Sequence, residues 1–144
     1  MNITSQITIA RPREQVIELI TNPAHTPQWQ PGIKRIDLLS GRQDEVGARS
    51  RVIFEFNGYQ MEVIETVVRR SPPLLFSSSF EARGVKNTVV NRFYAVGPQE
   101  THWVMDNTFQ FGGAMAFAGV FVRNFIAKQT VQSMNRFKLF AEKT

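Results

Sequence analysis

The sequence predicts an α+β fold in which a curved antiparallel sheet of about seven strands grips a long C-terminal helix. Most of the chain between residues 33 and 111 alternates apolar and polar side chains, which is the pattern of half-buried strands. The last stretch, from about Ala114 to Glu142, instead has the longest helical apolar spacing in the chain. One face of the sheet is apolar on most strands, so a long helix is needed to cover it.

The N-terminal segment predicts one strand and two short helices. The stretch from Asn2 to Ala10 alternates polar and apolar side chains, with three isoleucines at odd-numbered positions, and this pattern predicts the first strand. Pro12 stands where a helix can begin, because the N–H that proline lacks would be unpaired there. That helix ends at Asn22-Pro23, since the residue before a proline is disfavoured in the helical region. The proline-rich segment up to Pro31 predicts a short helical turn anchored by Trp29.

Six more strands follow, joined by short turns. Asn57-Gly58 is a strong signal for a two-residue hairpin, because both residues tolerate positive φ. Short turns between successive strands predict an antiparallel meander. The expected bounds of the six strands are Ile33–Leu39, Arg49–Phe56, Tyr59–Val68, Leu74–Ala82, Asn87–Val96 and Thr101–Phe111.

The closing helix would measure about 43 Å at 1.5 Å per residue. A face centred on Ile126 carries Val122 and Phe137 at helical spacing. Thr130 and Ser133, two small polar residues, lie in the middle of that face. This placement indicates a helix that lies over a space as well as over a core.

Three phenylalanines at the start of the closing helix do not fit its apolar face. Phe117, Phe121 and Phe125 fall beside the Ile126-centred face, so one helix face cannot bury them all. They predict a lid, a homodimer contact or a patch that touches a membrane. Alternatively, the proline-rich loop of residues 23–31 wraps around the start of the helix and covers them.

Composition excludes several classes of protein. The 144 residues contain no cysteine, which excludes disulfides, thiolate catalysis and Cys-ligated metals and fits a reducing, cytoplasmic location. The net charge is +5, but the basic residues occur as separated pairs, so no nucleic-acid partner is expected. The longest apolar run, at residues 112–122, is shorter than the roughly 20 residues of a membrane span. The N-terminus lacks the apolar core of a signal peptide.

Length and motifs predict one domain over residues 1–144 without a cofactor or metal. The chain has no phosphate-binding or dinucleotide-binding glycine motif. Its two histidines do not form a metal site. His102 and Asp106 lie on the parity opposite Trp103 and are expected to face outward.

On most strands, the alternate residues that face one side of the sheet are apolar. This apolar face predicts a small-molecule site, because apolar clefts with a few polar groups are the usual binding sites. Some of its residues would simply belong to the core, since burial alone accounts for an apolar side chain. The predicted ligand-binding residues are Trp29, Phe54, Phe56, Tyr59, Met61, Phe76, Ser78, Phe80, Trp103, Met105, Asn107, Phe109, Val122 and Ile126.

Polar residues at strand positions that otherwise carry apolar side chains are the candidates for catalysis or for hydrogen bonds to a ligand. A buried polar group needs a hydrogen-bond partner, which can be protein, water or ligand. Glu65 is a candidate general base if burial raises its pKa; alternatively it is a strand-end carboxylate paired with Arg69 or Arg92. Ser78 and Asn107 would orient a ligand carbonyl, or else bond locally to water or backbone.

Several motifs of the chain occur together in one known family: Pro12 and Val16 in the first helix, Asn22-Pro23, Trp29 followed by Pro31, Gly47, the Ser71-Pro72-Pro73 corner, Thr101 and the closing amphipathic helix. On these motifs the whole chain resembles the START/SRPBCC superfamily, and within it the polyketide cyclase/dehydrase branch. The resemblance implies the helix-grip fold and a lipid, polyketide or aromatic metabolite held between sheet and helix.

The expected function is therefore the binding of a hydrophobic small molecule in an internal cavity. A cofactor-free polyketide cyclase or dehydratase is the first alternative. It would need an inward acid or base, for which Glu65 and then Tyr59 are the candidates. A protein or membrane interaction module that uses the phenylalanines of residues 117–125 is the second alternative.

Overall fold

The computed structural model describes residues 2–56, 58–113 and 119–144, without the side chains of Phe56 and of residues 119–122. The predicted helix start at Ala114 and the phenylalanine at position 117 lie outside the described residues. The strands are β1 (Asn2–Ile9), β2 (Ile33–Ser40), β3 (Arg49–Phe56), β4 (Tyr59–Ser71), β5 (Leu75–Ala82), β6 (Val85–Gly97) and β7 (Glu100–Phe111). The helices are α1 (Arg13–Thr21), α2 (Thr26–Trp29), preceded by a 3-10 turn at Pro23–His25, and α3 (Gly119–Lys143).

The strands form one antiparallel sheet in the order β1-β7-β6-β5-β4-β3-β2. Strands β2 to β7 follow each other as a meander, and β1 pairs with β7 at the far edge. Gly58 has a φ of +82° and Phe56 pairs with Tyr59, as a two-residue hairpin requires. The predicted meander and the sheet of seven strands are confirmed.

Two strands extend further than the apolar alternation predicted. β4 continues past Val68 to Ser71 because a bulge between Val67 and Arg69 absorbs the break in alternation. β6 begins at Val85, two residues before the predicted start. Both strands are 13 residues long, so they reach from the hairpin end of the sheet to the packed core at the other end.

The segment between β1 and β2 closes one end of the sheet. α1 buries Val16 and Leu19, and it ends at Asn22 as Pro23 requires. The Asn22 side chain then accepts a hydrogen bond from the Ala24 N–H at 3.0 Å and caps the 3-10 turn. This turn delivers Trp29, at the end of α2, into the core.

The core lies where α1, α2 and the C-terminal half of α3 meet the sheet. From α3 it receives Met134, Phe137 and Ala141, spaced i, i+3 and i+7. The predicted face was centred on Ile126, which is only half-buried. That prediction misplaced the centre of the stripe, because it omitted Met134. The core cluster comprises Ile9, Val16, Leu19, Trp29, Phe76, Phe93, Trp103, Met134, Phe137 and Ala141.

A group of polar contacts ties the end of α3 to the junction of β1 and α1. The Glu142 carboxylate accepts a hydrogen bond from the Ala10 N–H at 2.8 Å and forms an ion pair with the Lys138 ammonium at 2.9 Å. Lys138 also donates to the Thr8 carbonyl, and Arg11 donates to the Glu142 carbonyl. These contacts, led by the Ala10 N–H, lower the pKa of Glu142. The C-terminal half of α3 is therefore fixed to the sheet.

Candidate ligand-binding site

The inner face of the sheet, which α3 covers, divides into two regions. Trp103 and Phe93 are paired across β7 and β6 and stack with ring centroids 5.7 Å apart inside the core. Further along the same strands and on the same face, Met105, Asn91 and Val89 are only half-buried. Their partial exposure means that solvent reaches this part of the inner face, which we call the floor.

Four polar side chains form a zigzag across the floor, one on each of four adjacent strands. Asn107 on β7 and Ser78 on β5 both pair with Val89 of β6. Asn87 on β6 and Glu65 on β4 both pair with Phe80 of β5. Each polar residue is therefore diagonal to the next one. At roughly 4.8 Å between strands, the four span about 14 Å. We call Asn107, Asn87, Ser78 and Glu65 the polar track.

Apolar side chains flank the polar track on both sides. On strand β7 the neighbours of Asn107 on the inner face are Met105 and Phe109, the second of which is buried. On β4 the neighbours of Glu65 are Val63 and Val67, which are also buried. An apolar face with a few placed polar groups can fix the orientation of a hydrophobic ligand.

Glu65 is the ionisable member of the track. Burial raises the pKa of its carboxyl, which a hydrogen bond from Ser78 and the charge of Arg70 partly oppose. The predicted pairing with Arg69 or Arg92 is wrong. Arg92 binds Asp106 at 2.8 Å on the outer face, and the nearby cation is Arg70, which itself binds Asp44 at 2.6 Å. A carboxyl with a raised pKa is equipped to exchange protons closer to neutral pH.

Asn107 and Asn87 form the other half of the track. The Asn87 amide nitrogen donates to the Asn107 side-chain oxygen at 3.3 Å. Asn107 is only 3% exposed, yet its amide nitrogen has no hydrogen-bond partner within the described part of the chain. The side-chain oxygen of Asn87 is also buried and unpaired there. Such atoms are rare in native proteins, so they mark this pair as a candidate contact for a ligand.

The predicted ligand-binding residues fall into four groups. Trp29, Phe76 and Trp103 lie in the core rather than on the floor. Tyr59 is 79% exposed and Met61 is 52% exposed at the β3–β4 hairpin end of the inner face. The side chains of Phe56 and Val122 lie outside the described residues. The floor and the half-buried margin around it hold the rest, which are Phe54, Ser78, Phe80, Met105, Asn107, Phe109 and Ile126.

The two predicted catalytic candidates do not meet. Glu65 and Tyr59 lie six residues apart on the same strand, which is about 20 Å at the rise of an extended chain. The exposed Tyr59 is therefore too far from Glu65 to act on the same bond. Of the three predicted lid phenylalanines, only Phe125 is described with its side chain, and it is 45% exposed.

Sequence reasoning named no residue of β6 on the inner face. Asn87, Val89 and Asn91 alternate with Phe93 on one parity, so the signal was present in the sequence. Asn91 accepts a hydrogen bond from the Trp103 indole N–H at 2.8 Å and is thereby tied to the core. Asn87 instead belongs to the polar track. The sequence pattern alone does not distinguish these two asparagines.

The outer face of the sheet carries a separate polar network. His102 contacts Thr8 at 2.9 Å and Gln6 at 2.8 Å through its two ring nitrogens. Asp106 accepts from Thr4 at 2.6 Å and pairs with Arg92. The prediction that His102 and Asp106 face outward agrees with these contacts.

An open depression of about 350 Å³ adjoins the floor near the β5–β6 turn. Its lining includes Ala82, Val85 and Phe111, which share the inner face with Asn87 and Phe109. The described residues contain no group of three or more His, Cys, Asp and Glu side chains placed to hold a metal. Within the same residues, no helix is long and apolar enough to span a membrane.

Comparison with known structures shows the same fold in other proteins. The aromatase/cyclase Zhui from a Streptomyces species superposes with a TM-score of 0.85 at 15% identity, over 99% of this chain and 94% of that one. A START superfamily protein from Mycobacterium smegmatis gives 0.82 at 16% identity over 99% and 97% of the two chains. A conserved protein from Geobacillus kaustophilus gives 0.80 at 16% identity over 99% and 96%. At such identities the likeness shows the helix-grip fold alone.

Comparison with curated proteins gives no match. A family profile, described as polyketide cyclase/dehydrase and lipid transport, matches residues 1–142. The predicted START/SRPBCC resemblance is thereby confirmed over nearly the whole chain. The chain belongs to the polyketide cyclase/dehydrase and lipid transport family.

Proposed function

We propose that this protein, as one domain, binds a hydrophobic small molecule on the floor between the sheet and α3. The polar track carries the proposal. A buried amide without a partner destabilises a fold, whereas an apolar side chain of the same shape would not. A ligand that pairs with these amides and fills the apolar flanks accounts for both features. The family description, which includes lipid transport and polyketide cyclisation, supports the same class of ligand.

The depression at Ala82, Val85 and Phe111 is the proposed route to the floor, because it continues the same face outward. A cytoplasmic location and a homodimer stay predictions. The alternative of an interaction module rests on the phenylalanines of residues 117–125, and Phe125 is the one among them whose side chain is described.

The test is a titration with N-phenyl-1-naphthylamine, a neutral apolar dye that fluoresces in apolar surroundings. Val89 contacts the middle of the polar track, since it pairs with both Asn107 and Ser78. Val89→Trp fills the floor and is expected to weaken dye binding at least about tenfold. Val90→Trp on the outer face of the same strand is the matched control and should leave binding unchanged. Equal binding by both variants, or no binding by the wild type, contradicts the proposal.

A second candidate function is a cofactor-free cyclase or dehydratase, and Glu65 is the observation that favours it. Its raised pKa suits a general acid or base, and its place on the floor would put it against the ligand. Zhui, which has the same fold, is described as an aromatase/cyclase. If this protein turns over a polyketide-like thioester, Glu65→Gln should abolish turnover and leave dye binding intact. Unchanged turnover in that variant would remove Glu65 from the chemistry.

A further inference from the structure

The pair of Asn107 and Asn87 presents a defined hydrogen-bonding demand. One bond joins them, from the Asn87 nitrogen to the Asn107 oxygen. This leaves one donor, the Asn107 nitrogen, and one acceptor, the Asn87 oxygen, both buried and unpaired. Rotating both amides by 180° reverses the direction of the joining bond but again leaves one donor and one acceptor. The demand is therefore the same for either orientation of the amides.

The surroundings of the pair do not meet this demand. Four residues pair directly with the two asparagines on the neighbouring strands, and none has a polar side-chain atom: Ile3, Val89, Phe80 and Phe109. Asn91, the remaining amide on this face of β6, is engaged by Trp103. Ser78 is diagonal to Asn87 but hydrogen-bonds to Glu65. A group that pairs with the asparagines must therefore come from outside the described side chains.

We propose that Asn107 and Asn87 determine ligand specificity by binding a neutral group that carries both a hydrogen-bond donor and an acceptor. A primary amide, or a hydroxyl beside a carbonyl, has this character. The inference rests on the proposed function, because it assigns the ligand class of the same floor. An ester or ketone offers an acceptor only and leaves the asparagine oxygen unpaired. A carboxylate likewise offers acceptors only, and it would share the floor with the carboxyl of Glu65.

The test compares three ligands with one hydrocarbon skeleton in competition with N-phenyl-1-naphthylamine: decanamide, methyl decanoate and decanoate at pH 8. The amide should displace the dye at a concentration about tenfold lower than the ester, since one completed buried hydrogen bond is worth up to about that factor. The amide is also the more polar molecule, so unspecific partitioning would give the opposite order. Decanoate should compete less well than the amide.

The double variant Asn87→Leu/Asn107→Leu keeps the side-chain shapes and removes the demand, whereas a single change would leave the other asparagine with an unpaired donor and an unpaired acceptor. The double variant should still bind the dye and should lower the preference for the amide to within about twofold. Thr108→Val, on the outer face beside Asn107, is the matched control and should keep the full preference. Melting curves establish that each variant is folded, and Asn87→Ala/Asn107→Ala, which removes the same polar groups, is the second variant; either double variant suffices for the test.

The possible outcomes separate the two proposals. No dye binding by the folded wild type overturns the binding function and the inference together. Dye binding without preference for the amide overturns the inference alone. A preference that persists in a folded double variant also overturns it, because the discrimination would then reside elsewhere.

Discussion

Replacing Phe137 with alanine tests whether the C-terminal half of α3 is the fixed wall of the site. Phe137 is 0% exposed, and its ring lies 5.3 Å from that of Trp29 and 5.5 Å from that of Trp103. Removing such a ring leaves a cavity and costs about 3–5 kcal/mol. For a chain of this size one kcal/mol corresponds to about 2–4 °C. The variant should therefore melt about 6–20 °C below the wild type.

The assay is thermal unfolding followed by circular dichroism and by tryptophan emission. Both tryptophans contact Phe137, so emission from the folded variant should also shift to longer wavelength. Leu139, two residues away on the exposed face, is 58% exposed, and Leu139→Ala should change stability by no more than about 0.5 kcal/mol. A loss below about 1 kcal/mol for Phe137→Ala, or equal losses for the two variants, would refute the anchoring of α3 through this stripe.

Two further predictions concern pH. Burial raises the pKa of Glu65 in the folded protein, so its contribution to stability is fully present below the unfolded pKa of about 4.3 and is lost as pH rises through the folded pKa. In urea unfolding between pH 4 and 8, Glu65→Gln should therefore remove this decline in the free energy of unfolding. If the free energy of unfolding falls with pH as steeply in the variant as in the wild type, Glu65 is not the source of the decline. Hydrogen bonds from Ala10 and Lys138 lower the pKa of Glu142 in the folded protein, so its contribution to stability is present above about pH 4.3 and is lost as pH falls through the folded pKa. Glu142→Gln should lower the free energy of unfolding by about 1 kcal/mol or less at pH 7 and should not change it at pH 2. An equal decrease at both pH values would contradict the role of the Glu142 charge.

The architecture was readable from the sequence because each strand carries its own two-residue alternation. The Asn57-Gly58 signal fixed the register of β3 and β4 through a local property of the backbone. The long span of β4 was not readable, because the bulge after Val67 depends on its pairing with β5. The burial of Met134 was missed for a related reason. The position of a stripe on a helix is set by the partner that it packs against, and here that partner is α1, α2 and β1.

The sequence predicted which face of the sheet carries the candidate site, but not where along the strands the site lies. The two-residue alternation placed Trp103 and Asn107 on the same side of β7, yet Trp103 lies in the core and Asn107 on the floor. The difference arises from where α1 and α2 cross the sheet, which is a tertiary property. Parity also placed Tyr59 inward, and only its position at the hairpin end explains its 79% exposure. The diagonal arrangement of the polar track likewise requires the register of four strands at once.

The two regions of the inner face have opposite physical designs. At the core end, Trp103 satisfies its indole N–H through Asn91, and the contacts of Glu142 hold α3 against β1. On the floor, Asn107 leaves an amide nitrogen unpaired at 3% exposure. Leucine at both positions 107 and 87 would keep the shape and remove the desolvation cost, so folding alone does not explain the two asparagines. The same reasoning applies to the carboxyl of Glu65, whose raised pKa reflects an unfavourable burial. Of the four buried side-chain atoms without a partner in the described part of the chain, two belong to Asn87 and Asn107, which lie with Glu65 on the floor, where a bound molecule would pair with them. The other two, the Trp29 indole nitrogen and Arg13 Nε, lie apart from the floor.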